Sequence, residues 1–257
     1  MSTEFKPLQY KALIFDVYAT LIDWETGIYA GIKPMLDRTN PTLANNKRDA
    51  LSAYFAVEND LQARYPTMLY ADILARAHAE LAARAANEPS PSETITTGAA
   101  AAGTASPPGS PSPDTIPALA YLSTKYKLSV LSNVDRVSFA GTQRVLETSL
   151  PEHAFRFDAV YTAQDIGSYK PNPANFEYAL KKLKEEFGVE KHEVLVVAAS
   201  LTHDHVPANQ LGLAGVFIDR GAISLNEDPS VATVDATFAT LGAFADEVKR
   251  RAGDSEV

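Results

Sequence analysis

The sequence predicts an α/β fold built on a parallel β-sheet. Short aliphatic or β-branched runs typical of buried strands recur along the 257-residue chain. Helical patterns separate these runs, and strands that alternate with helices form parallel sheets. With 46% hydrophobic residues, the chain can also bury a substantial core. Five strands are predicted, at residues 12–15, 128–131, 159–162, 194–198 and 215–218.

The composition excludes several classes of function. The 23 Lys and Arg against 32 Asp and Glu give a net charge of −9, which disfavours nucleic acid as a partner. The lack of cysteine excludes disulfides and thiolate chemistry. The N-terminus has no apolar signal-peptide core, and no run approaches the roughly 18 apolar residues of a membrane span. We expect a soluble, cytoplasmic protein whose partner is a small-molecule substrate, with no membrane partner; a homodimer is left open.

A long helical segment is predicted between the first two strands. Residues 87–113 follow it, and 23 of these 27 residues are Ala, Gly, Pro, Ser or Thr, which is too few large apolar groups to offset the entropy of ordering. We interpret this stretch as a flexible linker, with an ordered loop over a site as the alternative. The predicted division is a core at 1–23 and 114–257 and an inserted helical cap at 24–86. Candidate packing positions in the helical segment are Leu36, Leu51, Tyr54, Phe55, Leu61, Leu69, Leu74 and Leu81.

Polar side chains follow the first two strands where each one ends. Asp16 lies at the end of the first strand, with Thr20 four residues later, and Ser132 and Asn133 follow the second. Because ligands of parallel sheets bind at the carboxyl edge of the strands, these side chains are candidates for a functional site. Each also has a structural explanation, since Asp caps turns and Ser and Asn commonly end strands.

Two later strand ends carry further candidates. Lys170 follows the third strand, and the proline after it keeps its backbone out of the helical region, so that its ammonium can point into a site. A solvated lysine before a helix is the alternative. The fourth strand ends in a segment with Ser200, His203, Asp204 and His205. Two histidines that flank an Asp suggest a metal site, but side chains two residues apart usually diverge, which disfavours ligation.

The order of these residues resembles the four motifs of the haloacid dehalogenase superfamily. Asp16 with Thr20 resembles motif one, Ser132 motif two, Lys170 motif three and Asp204 motif four. The segments FDVYATL, LSN and YKP are similar in particular to the type II 2-haloacid dehalogenases, and the helical segment is similar to their cap. The resemblance covers the chain apart from residues 87–113. It implies a Rossmann-like sheet whose strands, numbered along the chain, lie in the order 5-4-1-2-3.

The resemblance implies covalent catalysis on Asp16. In this family the motif-one Asp attacks carbon or phosphorus, and water then hydrolyses the intermediate. A nearby ammonium favours the charged form of a carboxylate, which implies a task for Lys170. Thr20 and Ser132 are implied to orient the reacting groups, and Asp204 to position Lys170 or the hydrolytic water.

Residues beside the motifs are candidates for contact with the substrate. Tyr18 and Asn133 belong to motifs one and two, and Ser200 belongs to motif four. His203 stands where the family's dehalogenases often carry an aromatic residue, so we interpret it as part of the site wall. Phe176 stands where they often have a Tyr after YKP.

The same resemblance favours a reaction without a metal. Family phosphatases usually have a second motif-one Asp as the general acid, and Tyr18 takes that place here. They also bind Mg²⁺ through carboxylates of motifs one and four, but Ala199 stands where the first acidic residue of motif four is expected. No metal and no other cofactor is therefore predicted. Because a halide leaves without an acid or a metal, we predict hydrolytic dehalogenation of a small 2-haloacid.

One departure keeps other functions open. Type II dehalogenases bind the substrate carboxylate or the halide with a cap Arg, but residues 51–60 contain no basic residue. Arg48 or Arg64 would have to replace it, and either is more often a solvated helix charge. A Mg²⁺-dependent phosphatase of a small phosphorylated metabolite and a non-catalytic ligand-binding member of the superfamily are the alternatives.

Overall fold

The computed structural model describes residues 5–89, 109–221 and 228–254. Its strands within these ranges are β1 (Ala12–Phe15), β2 (Ile22–Asp23), β3 (Ser110–Pro111), β4 (Lys127–Ser132), β5 (Ala159–Thr162), β6 (Val194–Ala198), β7 (Ala214–Ile218) and β8 (Ala236–Phe238). Its helices there are α1 (Trp24–Thr39), α2 (Pro41–Ala44), α3 (Lys47–Arg64), α4 (Tyr70–Ala85), α5 (Thr115–Leu122), α6 (Arg136–Thr148), α7 (Ala163–Ile166), α8 (Ala174–Phe187), α9 (Val206–Gln210) and α10 (Leu241–Ala252).

The main sheet is parallel and confirms the predicted α/β class. Its six described strands lie in the order β5-β4-β1-β6-β7-β8. The five predicted strands are β1, β4, β5, β6 and β7, and they follow the expected order when the sheet is read from the β7 side. The structure adds β8 at the edge. Its three residues are too few to show a strand pattern in the sequence, and it forms by pairing with β7.

Helices cover both faces of the sheet, which explains the continuous apolar runs of the strands. All four residues of β1 are buried. Leu13 and Phe15 belong to one hydrophobic cluster, while Ala12 and Ile14 belong to a second cluster with residues of α8. In the register of the sheet, Phe15 at the end of β1 lies beside positions near the ends of β4 and β6. The residues that follow these strands are therefore brought to one edge.

Helix α8 has sequence signals at both of its ends. It starts directly after Pro173 and ends at Gly188, whose φ of 66° is in the left-handed region that favours glycine. Phe176 and Leu183 are fully buried on its inner face. Leu180 and Phe187 are partly buried and pack against the same cluster.

Helices α1 to α4 occupy the predicted helical segment and pack against one another. Asn40 and Asn46 cap α2 and α3 through their side chains. Seven of the eight candidate packing positions are buried or pack against the main cluster. Leu69 is the exception at 43% exposure. It precedes α4 as an extended N-cap residue, so the inner face of that helix does not include it.

A two-stranded ribbon links the chain before and after the predicted cap. Strands β2 and β3 are antiparallel, with Ile22 opposite Pro111 and Asp23 opposite Ser110. Strand β3 lies within the stretch 87–113 predicted as a linker or loop, and the division into core, cap and linker stays a prediction. Its pairing partner is almost 90 residues away, and local composition cannot reveal such a partner. Most of that stretch, residues 90–108, lies outside the described residues.

No helix in the described ranges is long and apolar enough to cross a membrane.

Candidate active site

The loop after β1 presents Asp16 at the carboxyl edge of the sheet. The hydroxyl of Thr20 donates a hydrogen bond to Asp16 Oδ2 over 2.7 Å. The hydroxyl oxygen of Thr20 accepts in turn from the backbone N–H of Ala199 over 2.9 Å, so this hydroxyl is held between Asp16 and the end of β6. Ala19, between Asp16 and Thr20 in the chain, has a φ of 75°, a left-handed conformation unusual for a residue with a Cβ. Such strain at a loop is a common feature of functional sites.

A buried ion-pair triad lies next to this loop. Lys170 Nζ donates to Asp16 Oδ1 over 2.9 Å and to Asp204 Oδ1 over 2.7 Å. The carbonyl oxygen of Leu131, 2.9 Å away, accepts its third hydrogen bond. Burial disfavours the charge, but the two carboxylates outweigh burial and raise the pKa of Lys170. The ammonium therefore stays charged and shares its charge between both acids.

Asn133 fixes the backbone of Lys170. Its Oδ1 accepts from the N–H of Lys170 over 2.7 Å, and its Nδ2 donates to the carbonyl oxygen of the same residue over 3.0 Å. This reciprocal contact joins the end of β4 to the segment after β5. Asn133 thus orients Lys170 through uncharged hydrogen bonds.

A π-helical turn at Leu201–His205 carries the motif-four residues. Ser200 caps the turn by accepting from the N–H of His203, whose Nδ1 lies 3.2 Å from the serine oxygen. His205 points into the core instead. Its Nε2 lies 3.3 Å from the carbonyl oxygen of Ala198, and its ring packs so tightly on Gly215 that a Cβ there would lie 2.5 Å from Nδ1. The two histidines diverge and do not form a metal-binding pair.

These residues line a cavity of about 100 Å³, which suits a compact substrate. The predicted site residues that line it are Asp16, Tyr18, Ser132, Asn133, Lys170, Ser200, His203 and Asp204. Thr20 is fully buried behind Asp16 and reaches the cavity through its hydrogen bond.

Phe176 does not line this cavity, so the structure does not place it where it was predicted to contact the substrate. Its side chain is fully buried in the cluster that covers the Ile14 face of the sheet. The reason is helical geometry: Phe176 is three residues into α8 and takes the inner face together with Ala179 and Leu183.

Tyr18 is engaged on the wall of the cavity. Its hydroxyl lies 2.9 Å from Oγ1 of Thr142 on α6, and its ring packs at 6.2 Å from that of Trp24. Burial raises the pKa of Tyr18. At the place of the phosphatase general acid there is thus a group that holds its proton firmly.

The opposite wall comes from helices α1, α3 and α4, and the sequence interpretation missed it. The lining residues there are Trp24, Phe55, Glu58, Asn59, Gln62 and Tyr70. A signal did exist in the sequence. Glu58 and Gln62 occupy the same helical face as Tyr54, Phe55 and Leu61, where only apolar residues are expected of a packing face.

Glu58 is the most unusual member of this wall. Its side chain is buried, with Oε1 accepting a 2.9 Å hydrogen bond from Nε2 of Gln62. Burial outweighs the neighbouring Tyr70 hydroxyl and the hydrogen bond from Gln62, which both lower the pKa, and raises the pKa of Glu58 to about 7. The carboxyl group can therefore be uncharged under neutral conditions.

Neither candidate replacement for the cap arginine reaches the cavity. Arg48 is exposed on α3. Arg64 forms ion pairs with Asp60 and Glu80 at the surface. Both are solvated helix charges.

Arg220 supports the loop that carries Asp16, and no feature of the sequence predicts this role. Its Nε donates to the carbonyl oxygen of Thr20 over 2.7 Å, and its two terminal nitrogens contact both oxygens of Asp114 at 3.0 and 3.1 Å. This planar, two-pronged contact holds the turn in one orientation.

Comparison with known proteins identifies the family. A model of the haloacid dehalogenase-like hydrolases matches residues 10–211. The chain belongs to this family. Among curated relatives of this haloacid dehalogenase-like hydrolase, the glyceraldehyde 3-phosphate phosphatase of Methanocaldococcus jannaschii is 30% identical over 140 residues, which are 54% of this chain and 57% of that protein. The match thus spans little more than half of the relative.

Solved structures show that the whole fold is shared. The L-2-haloacid dehalogenase of Xanthobacter autotrophicus superposes with a TM-score of 0.67 at 20% identity, over 93% of this hydrolase and 98% of that chain. YfnB of Bacillus subtilis, a structure with bound magnesium, has a TM-score of 0.65 at 16% identity, over 94% and 97% of the two chains. At these identities the likeness concerns the fold alone.

The site offers a magnesium ion fewer carboxylates than the phosphatase pattern does. Magnesium requires near-octahedral oxygen ligands. Here the ammonium of Lys170 contacts both Asp16 and Asp204, so a dication at the same oxygens would meet a fixed positive charge. Tyr18 and Ala199 supply no carboxylate. Among the described residues, no group of three or more His, Asp or Glu side chains is arranged to hold a metal.

Proposed function

We propose that this haloacid dehalogenase-like hydrolase removes the halide from a small 2-haloacid through an ester on Asp16, without a metal. The observation that carries the proposal is the buried ammonium of Lys170, which contacts both Asp16 and Asp204. It places a positive charge against Asp16, which still lines the cavity. A carboxylate held in this way is a competent nucleophile for carbon.

The first step forms the ester. An oxygen of Asp16 bonds to C2 of the substrate from the side opposite the halogen, the carbon–halogen bond breaks, and the halide leaves with the bonding electrons. The configuration at C2 inverts. Thr20 and Lys170 hold the carboxylate in one orientation through their hydrogen bonds, which lowers the entropic part of the barrier.

The second step releases the product. Water adds to Cγ of the Asp16 ester, the bond from Cγ to the ester oxygen breaks, and a 2-hydroxyacid leaves with that oxygen. Asp204 accepts one proton of the water and passes it to solvent, and the second proton of that water moves to the leaving alkoxide. Asp16 regains its carboxylate with one oxygen from water.

The test is halide release from a panel of small 2-haloacids, with EDTA and without added Mg²⁺. We expect turnover that EDTA does not reduce. A single turnover in ¹⁸O-labelled water is expected to place the label in the peptide that contains Asp16. The matched control is Asp23→Asn, because Asp23 is an exposed cap of α1 and Asn also caps helices. Asp16→Asn is expected to abolish halide release, and Asp23→Asn to preserve it.

Two results would contradict the proposal. One is the absence of halide release across the whole panel. The other is a first-turnover label in the product hydroxyl with none in Asp16, because water would then attack the carbon directly.

A Mg²⁺-dependent phosphatase is the second candidate, and the 30% identity to an archaeal phosphatase favours it. Its test is hydrolysis of p-nitrophenyl phosphate. Turnover that requires Mg²⁺ and is lost with EDTA would favour the phosphatase over the dehalogenase.

A further inference from the structure

Two buried polar atoms on the helical wall of the cavity have no hydrogen-bond partner among the described residues. They are Oε2 of Glu58 and Nε1 of Trp24. Both residues line the cavity, and the ring of Trp24 packs at 4.7 Å from that of Phe55, one helical turn before Glu58. A buried polar atom without a partner costs about 1–3 kcal/mol. Two such atoms in one wall indicate a ligand that completes their hydrogen bonds.

This wall carries no fixed positive charge. Of the described residues that line the cavity, Lys170 is the one Lys or Arg, and its ammonium is held by Asp16 and Asp204. A substrate carboxylate on the helical side therefore meets neutral donors or a negative charge.

We propose that Glu58 binds the substrate carboxylate in its protonated form, by donating a hydrogen bond from Oε2, with Trp24 Nε1 as the second donor. This assignment rests on the proposed dehalogenation and names the residue that recognises its substrate. Gln62 supports the geometry, since its Nε2 holds Oε1 and leaves Oε2 for the ligand.

The charge state of Glu58 follows from its surroundings. Burial already raises its pKa to about 7, and a bound anion raises it further because like charges disfavour ionisation. Tyrosines 54, 70 and 169 also interact with Glu58, and burial raises the pKa of each, so they stay neutral. The charged or titratable groups on the other side of the cavity are Asp16, Lys170, His203 and Asp204.

The proposal has a specific consequence for pH. Above about pH 7 the protonated fraction of Glu58 falls tenfold per pH unit, so a carboxylate binds about tenfold more weakly with each unit. A carboxamide of the same shape carries no charge. Its N–H can donate to ionised Glu58 and its oxygen can accept from Trp24, so its affinity persists.

The experiment measures binding without turnover. Trp24 is the single tryptophan of the chain, so its fluorescence reports on this wall. The full-length protein is titrated with 2-hydroxypropionate, the product expected from 2-chloropropionate, and with 2-hydroxypropionamide, from about pH 6 to about pH 9. The variant is Glu58→Gln, which keeps the shape and removes the titration. The matched control is Glu80→Gln, an identical exchange on α4 at a residue paired with Arg64 and Arg84.

In the native protein and in Glu80→Gln, we expect the Kd of the acid to rise about tenfold per pH unit above pH 7 and the Kd of the amide to stay level. In Glu58→Gln, the Kd of the acid is expected to stay level. The assignment is overturned if the acid fails to bind at every pH, if its Kd is constant in the native protein, or if the slope persists in Glu58→Gln. That last result would point to His203. Halide assays report on the proposed function separately, so binding with the expected pH slope but no halide release would contradict only the dehalogenation.

Discussion

Replacing Glu58 by Gln is expected to remove a pH-dependent loss of stability. Glu58 is 3% exposed and its pKa in the fold is about 7, against an ordinary value of 4.5. The folded protein therefore binds this proton more tightly than the unfolded chain does. The resulting stabilisation is fully present below about pH 4.5 and is lost as the pH rises through about 7.

The magnitude follows from the displacement of the pKa. Each pH unit of displacement is equivalent to about 1.4 kcal/mol, so a carboxyl moved from 4.5 to about 7 loses about 3 kcal/mol once it is fully ionised. Between pH 5 and pH 8, the free energy of unfolding is expected to fall by about 2–3 kcal/mol from this group. The amide of Gln is uncharged at every pH, so the variant escapes this part of the loss.

Urea denaturation at several pH values between 5 and 8 tests the reasoning. The quantity of interest is the free energy of unfolding of Glu58→Gln minus that of the native protein, which is expected to grow by about 2–3 kcal/mol across the range. The same difference for Glu80→Gln is expected to stay constant, because an ion-paired surface carboxylate remains charged. A constant difference for Glu58→Gln would refute the claim that burial holds a proton on this residue.

Three further substitutions test the site. Asp16→Asn is expected to leave no detectable halide release at an almost unchanged thermal midpoint, because the exchange keeps the shape and removes the nucleophile; unfolding at room temperature would instead show a structural loss. Lys170→Met is expected to abolish turnover and to lower the free energy of unfolding, measured in urea, by about 3–5 kcal/mol, because it leaves Asp16 and Asp204 buried without a counter-charge. The control Lys127→Met breaks only an exposed ion pair and is expected to lower it by less than about 1 kcal/mol. Equal costs would contradict this. Trp24→Phe is expected to raise KM about three- to tenfold with kcat and the pH profile kept, since one neutral hydrogen bond is lost; an unchanged KM would remove Trp24 from the recognition of the substrate.

The sheet side of the site could be predicted because local pattern encodes it. A buried apolar run identifies a strand, and the residue after the run must lie at its end, as Asp16 does after β1. Parallel pairing then brings separate strand ends to one edge. Asp16, Ser132, Lys170 and Asp204 were therefore placed together before any coordinates, and the structure joins three of them in one ion-pair triad.

The helical side could not be predicted in this way. Glu58 and Gln62 interrupt the apolar face of α3, but that pattern does not show what they face, and Trp24 has no sequence signal at all. Whether such residues face a cavity, the core or solvent depends on how α1 and α3 pack over the sheet edge, which local pattern does not specify. Phe176 shows the converse. Its position beside the YKP motif predicts a contact in the pocket, but it lies on the inner face of α8 and is buried in the core.

The sequence alone thus determined the α/β class and the position of Asp16 and its charged partners at one edge of the sheet, because strand ends depend on short-range patterns and on one rule of parallel sheets. Only the tertiary structure decided the nature of the recognition wall, with neutral donors from Glu58 and Trp24 in place of a cation. The physical reason is burial. The charge of Glu58 depends on how completely distant segments exclude water from it, and that property exists only in the packed molecule.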